Sequence, residues 1–173
     1  MMRIFVLVTW LFSLTACINV PVNLSPVKDF DLERYSGTWY ELARLDHDFE
    51  TGLSHVQAHY TLNDDNTVTV INRGWNEQEQ QWKEALGVAK SVKHPDLGHL
   101  KVSFWGPFYS SYVVFYLEPD YSVALVSGYN LDYFWILSRS TSLPAYKFRK
   151  YLRIAQQAGI DTSALIFPFS EAK

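Results

Sequence analysis

Few side chains in this sequence are equipped for covalent chemistry, and their spacing narrows what remains. Cys17 is the single cysteine, so an intrachain disulfide and a cysteine-based zinc site are both excluded. Asp46, His47, Asp48 and Glu50 bunch together as metal-ligand types. No second cluster completes a coordination shell, so the segment reads as a solvated loop, and neither a metal nor a cofactor is implied. The five histidines (His47, His55, His59, His94, His99) show no Glu-X-X-His or His-X-X-X-His helix pattern. Nucleophile elbows, phosphate loops and zinc signatures are lacking as well. Glu41 is the one carboxylate that strand alternation, described below, places inside the fold. A buried glutamate near tyrosines is either an acid–base group or a hydrogen-bonded structural one, and nothing else in the chain completes a catalytic set. The chemistry to expect is recognition, not catalysis.

The elements that must position these residues are short and β-rich. The chain has 173 residues, 48% of them hydrophobic and 16% aromatic, with a mean hydropathy of −0.09. That describes one well-cored domain. Fifteen basic and 18 acidic residues are interspersed, for a net charge of −3, so no basic stripe exists for a nucleic acid. Apolar runs fall at roughly Trp39–Leu45, Val56–Leu62, Thr67–Trp75, Gln81–Val92, His99–Trp105, Tyr112–Glu118, Ser122–Ser127 and Tyr133–Ser138. Turn residues such as Asn63-Asp64-Asp65-Asn66 and Gly106-Pro107 separate them. Regular short strands of this kind predict a sandwich or a barrel. One helix follows, with Ser142 as expected cap, Pro144 in its first turn and Gly159 as stop. Ala145, Phe148, Leu152 and Ala155 form its apolar stripe, and Lys147, Lys150 and Arg153 face away.

The start of the chain is a different object. Arg3 precedes an apolar stretch of about 11 residues, Ile4–Leu14, interrupted only by Thr9 and Ser13. This reads as a signal peptide, too short to span a bilayer. Its end, Leu14-Thr15-Ala16-Cys17, resembles a bacterial lipobox. The resemblance implies cleavage before Cys17 and acylation of its thiol and new amine, several chains being needed for stable anchoring. Ile18 stands where an aspartate would retain the protein on the inner membrane, which points to the outer membrane, with the periplasmic face expected. Residues 1–16 are then signal, 17–29 a Pro-containing lipidated tether, and 30–173 the domain.

A closure test applies to eight antiparallel strands. If strand 1 pairs with strand 8, Trp39 and Arg139 lie at the same end, where indole and guanidinium can stack for about 0.5–2 kcal/mol and seal it. Gly37-Thr38-Trp39-Tyr40 resembles the Gly-X-Trp signature of lipocalins, Asp120-Tyr121 their second motif (Pro119 replacing the usual Thr), and Arg139 in Leu137-Ser138-Arg139 their third. Trp39–His47, Val70–Gly74, Lys101–Tyr109 and Trp135–Arg139 are similar to the bacterial, apolipoprotein D-like branch. The resemblance runs from Asp29 to the end. It implies an all-β, eight-stranded up-and-down barrel with the C-terminal helix packed outside, holding a fatty acid or lysophospholipid.

With Trp39 inward, alternation predicts the lumen. Strand 1 contributes Trp39, Glu41, Ala43 and Leu45, and strand 2 contributes Val56, Ala58 and Tyr60. Strand 3 adds Val68, Val70, Asn72 and Gly74. The small residues Ala85, Gly87 and Ala89 of strand 4 leave a void. Val102 and Phe104, then Tyr112, Val114 and Tyr116, then Tyr133, Trp135 and Leu137 complete the wall. Loops 46–55, 76–80, 106–111 and 129–132 meet at the open end, with Phe108 and Tyr109 at the mouth. About ten buried methylenes contribute roughly 8 kcal/mol before ordering costs. Two rival expectations are an outer-membrane lipoprotein whose mouth loops present to a protein partner, and a lipid-modifying enzyme dependent on Glu41. A homodimer is conceivable from the bacterial branch.

Overall fold

The computed structural model describes residues 18–169, so Cys17 and the segment before it lie outside the described residues. Eight strands close into one antiparallel barrel in chain order: β1 Gly37–Arg44, β2 Leu53–Leu62, β3 Val68–Asn76, β4 Gln81–Ser91, β5 His99–Trp105, β6 Phe108–Leu117, β7 Val123–Ser127 and β8 Phe134–Ser138. β1 pairs with both β2 and β8, which is the closure. Closing the sheet removes its two edges and leaves an interior wide enough for one small ligand.

Four strand pairs carry a register shift, and those in β1 and β6 move expected residues across the barrel wall. In β1 the register shifts between Glu41 and Ala43, and in β6 between Val114 and Tyr116. Each extra residue reverses the in–out alternation beyond it. Ala43 and Leu45, expected inside, therefore lie outside with Leu42, and Arg44 turns inward at 1% exposure. Tyr116 is likewise carried out of the lumen and packs near Tyr151, ring centroids 6.0 Å apart.

Helix α2, Ala145–Gln157, covers this outer apolar face. Tyr151 and Ala155 are buried against a cluster that includes Leu42, Ala43, Leu125, Phe134 and Ile136. Each large apolar side chain so covered contributes about 1.5–3 kcal/mol. The N-cap is Pro144, not Ser142: its carbonyl accepts from the backbones of Lys147 and Phe148, and no side chain caps the helix. Ala145 is exposed and Tyr151 takes the central place in the stripe, while Lys147, Lys150 and Arg153 face solvent. Gly159 ends the helix at φ +88°.

A second, shorter helix, α1 (Leu32–Tyr35), plugs one end, its start capped by Asp31 through the backbone N–H groups of Glu33 and Arg34. Residues 18–29 lie along the same end. Pro21 and Leu24 are buried, and Val27 exchanges backbone hydrogen bonds with Val114 and Gly98. The stretch read as a tether is thus fitted to the barrel over its described part.

Candidate functional site

The plugged end is fully bonded. Trp39 is 0% exposed, its Nε1 donates to the Tyr35 carbonyl at 2.8 Å, and the Arg139 guanidinium lies 3.9 Å over its ring. Arg139 also donates to the carbonyls of Thr38 (2.8 Å), Arg34 (2.9 Å), Ser36 (2.9 Å) and Tyr35 (3.0 Å). These are orphan carbonyls of α1 and of the chain entering β1, so one cation both stacks on the indole and completes the plug. Above it the hydroxyl of Tyr112 bonds those of Tyr35 (2.7 Å) and Tyr60 (3.0 Å). Burial raises the pKa of all three phenols, which stay neutral.

Beyond this floor the barrel is unfilled. A cavity of about 1000 Å³ extends from Tyr60, Tyr112 and Val70 to the opposite mouth. Its volume comes from the small residues of adjacent strands. Ala58, Asn72 and Ala85 sit in one cross-strand row, and Ala89 follows on the same face of β4. Val102, Phe104, Leu137, Tyr133 and Trp135 supply apolar wall. Such a chamber, greasy with few polar tips, suits one elongated amphiphile.

Of the residues expected to touch a ligand, Glu41, Ala58, Tyr60, Val70, Asn72, Ala85, Val102, Phe104, Tyr112, Tyr133 and Trp135 line the cavity. Three do not. Tyr116 is outside the barrel, for the reason given. Val114 is 0% exposed in the closed-end core, packed beside Gly98. Gly87 faces the Phe104 ring so closely that a Cβ there would lie 2.8 Å from it and 2.9 Å from the Ser103 carbonyl. The glycine makes room for Phe104, not for ligand, and no larger residue fits. Phe108 and Tyr109 do stand at the mouth, Phe108 at 63% exposure, but they begin β6 and are not in a loop. The turn before them is only Gly106-Pro107, since Trp105 already pairs with Phe108.

The sequence reading missed a polar group in the upper wall. Arg44, turned inward by the bulge, donates to Glu41 Oε1 at 2.9 Å and to the carbonyls of Glu50 (2.8 Å) and Leu53 (3.3 Å). Its Nε lies 3.8 Å from Glu50 Oε2, which also accepts from Trp135 Nε1 at 3.1 Å. The loop after β1 is therefore not simply solvated: His47 and Glu50 are buried, while Asp46, Asp48 and Phe49 remain exposed. Burial raises the pKa of Glu41, with the neighbouring Glu50 adding to the rise and Arg44 opposing it. Burial likewise raises that of Glu50, against Trp135 and Arg44. For His47, burial and then Arg44 lower the pKa to about 4, so its ring is neutral at pH 7. The one legible signal was Arg44 itself, a cation in a strand whose only other charge is Glu41. Among the described residues, no group of three or more potential ligands is placed to hold a metal ion.

The family model of the Lipocalin-like domain matches residues 30–170. The chain is 46% identical to outer membrane lipoprotein Blc of Vibrio cholerae serotype O1, over 96% of this chain and 98% of that one. It is 42% identical to outer membrane lipoprotein Blc of Escherichia coli K12, over 90% and 89% respectively. Among solved structures, insecticyanin from Manduca sexta superposes with a TM-score of 0.70 at 20% identity, covering 90% of this chain and 88% of its own; this likeness is one of fold. The closed barrel, the plugged end and these similarities together establish that the chain belongs to the lipocalin family, in the branch that contains the bacterial Blc proteins.

Proposed function

We propose that this chain is a lipid-anchored outer-membrane lipoprotein that stores or carries a fatty acid or lysophospholipid in its barrel and performs no catalysis. The observation that carries the reading is the unfilled cavity of about 1000 Å³, closed at one end by Trp39 and Arg139 and open at the other. An acyl chain entering from the mouth passes Tyr133 and Trp135 and ends against Tyr60 and Val70. The location is supported by the Blc relatives, whose names are those of outer membrane lipoproteins, and by the sequence around Cys17, which would carry the acyl chains at the periplasmic face.

The test is a titration of the anchor-free protein with lysophospholipid, followed by tryptophan fluorescence. Trp135 lines the cavity and bonds Glu50, so occupancy should produce a saturable change. Ala58→Trp and Ala85→Trp should weaken or abolish it while the fold survives. A wild-type protein giving no saturable response to any acyl ligand would remove the proposal. Gly87→Phe is unsuitable for this purpose, because the site has no space for a side chain.

A further inference from the structure

We infer that the upper wall of the cavity is a head-group site for a protonated amine, built from the carboxylates of Glu41 and Glu50. The inference rests on the carrier reading and narrows it to amphiphiles with a cationic group. Both carboxylates line the cavity, whereas Arg44, their only buried cationic partner among the described residues, sits behind them at 1% exposure and does not. Its guanidinium is already committed to Glu41, to the Glu50 carboxylate and to two carbonyls. Among the described residues, no cation in this part of the wall is left to receive a ligand anion.

The charge count points the same way. Two carboxylates face one guanidinium, and His47 is neutral, so the unoccupied group either bears one uncompensated negative charge or keeps a proton. In a low-dielectric wall an uncompensated charge is costly, and a ligand cation relieves that cost where a ligand carboxylate would add to it. A second observation comes from the imidazole. His47 is nine-tenths buried, neither ring nitrogen makes a hydrogen bond, and Nε2 stands 3.2 Å from Glu50 Oε2. The carboxylate is thus held by Trp135 alone among well-formed side-chain hydrogen bonds, leaving acceptor capacity beside the cavity. Further along the wall Asn72 Oδ1 is also a buried acceptor without a partner.

The cavity margin carries two other cations, and both have partners. Lys83 pairs with Glu79, and Arg73 lies 4.3 Å over the Trp82 ring. A ligand phosphate next to the amine would meet these at the rim. A free fatty acid would be received by the same apolar chamber but with its carboxylate kept away from Glu41 and Glu50.

The experiment is a competition among chain-matched probes on the folded, anchor-free protein: dodecylammonium, dodecanol and dodecanoate at pH 7. Dodecylammonium should bind at least tenfold more tightly than dodecanoate, with dodecanol between them. Glu50→Gln should shrink the gap between dodecylammonium and dodecanoate about tenfold, and Glu41→Gln serves as the second variant should the first not fold. Affinity for dodecylammonium should rise with pH as the carboxyls lose their proton, the facing groups being Arg44, His47, Asp46, Asp48 and Tyr60. Equal or tighter binding of dodecanoate, or an undiminished gap in both variants, would overturn the inference and leave the carrier intact. Failure of dodecanol and the rest to bind at all would overturn the carrier reading itself.

Discussion

The two ends of this barrel are built by opposite rules. At the plugged end the polar groups around Trp39 are answered: Trp39 Nε1 has Tyr35, the Arg139 guanidinium has a ring and a ladder of carbonyls, and three phenols bond one another. Towards the mouth the accounting is incomplete. His47, Asn72, Arg73 and Ser103 each hold a buried polar atom without a hydrogen bond. Phe49, Trp105 and Phe108 are exposed by 57%, 83% and 63%. β4 pairs with β5 only over Val88–Ser91, so its first half has the β3 ladder alone. Stability is concentrated where everything is satisfied, and binding is expected where it is not.

The comparison breaks first, and most visibly, at Trp39. Trp39→Ala should cost about 3–5 kcal/mol in urea unfolding, because it leaves a large buried void and removes the ring beneath the Arg139 guanidinium. A loss below 1 kcal/mol would mean the plug does not hold the barrel closed.

At the mouth, pH provides the next test. His47 titrates at about 4 in the folded protein against about 6.5 unfolded, so its contribution is complete above pH 6.5 and is lost as pH falls towards 4. Glu41 and Glu50, with raised pKa values, run the other way: their contribution is complete at low pH and declines as pH rises through their folded values. The difference between wild type and His47→Phe cancels those carboxyls to first order. From pH 7 to 4.5 the wild type should lose about 2 kcal/mol more than the variant, read from chemical denaturation at each pH. No difference would place His47 in contact with water.

Smaller still is the cost of filling the chamber. Ala58→Trp should lower lysophospholipid affinity at least tenfold, about 1.4 kcal/mol, while the urea midpoint moves little, since the new ring enters empty space. At the far end of the scale, Phe108→Ser should change stability by less than about 0.5 kcal/mol, because its ring is mostly in water.

The sequence made the architecture legible because turn residues recur between short apolar runs, and Gly37-Thr38-Trp39 with Arg139 marks both sides of the closure. It made most of the lumen legible too, since alternation holds along β3, β8 and β2 from Val56 onward, past a register shift near its start: Ala58, Val70 and Trp135 fall where parity puts them. What it hid lies past the bulges. A single extra residue near Leu42 reverses every assignment after it, so Arg44 entered and Ala43 and Leu45 left. The same event in β6 removed Tyr116. No local pattern announces these insertions, because Leu42 and Ala43 are apolar whichever way they point. The burial of His47 and Glu50 was equally hidden, for it depends on Arg44 having turned inward. Phe108 and Tyr109 were misread as loop because Gly-Pro suggested a longer break than the two-residue turn that forms.

The central claim is that one acyl chain occupies the space between the mouth and the Trp39 plug. Native mass spectrometry of the solvent-extracted, anchor-free protein with added lysophosphatidylethanolamine tests it most directly. A single adduct per barrel that saturates in the wild type and is lost in Ala58→Trp is the predicted result. An adduct that persists unchanged in Ala58→Trp and Ala85→Trp, or none at saturating lipid, would contradict it.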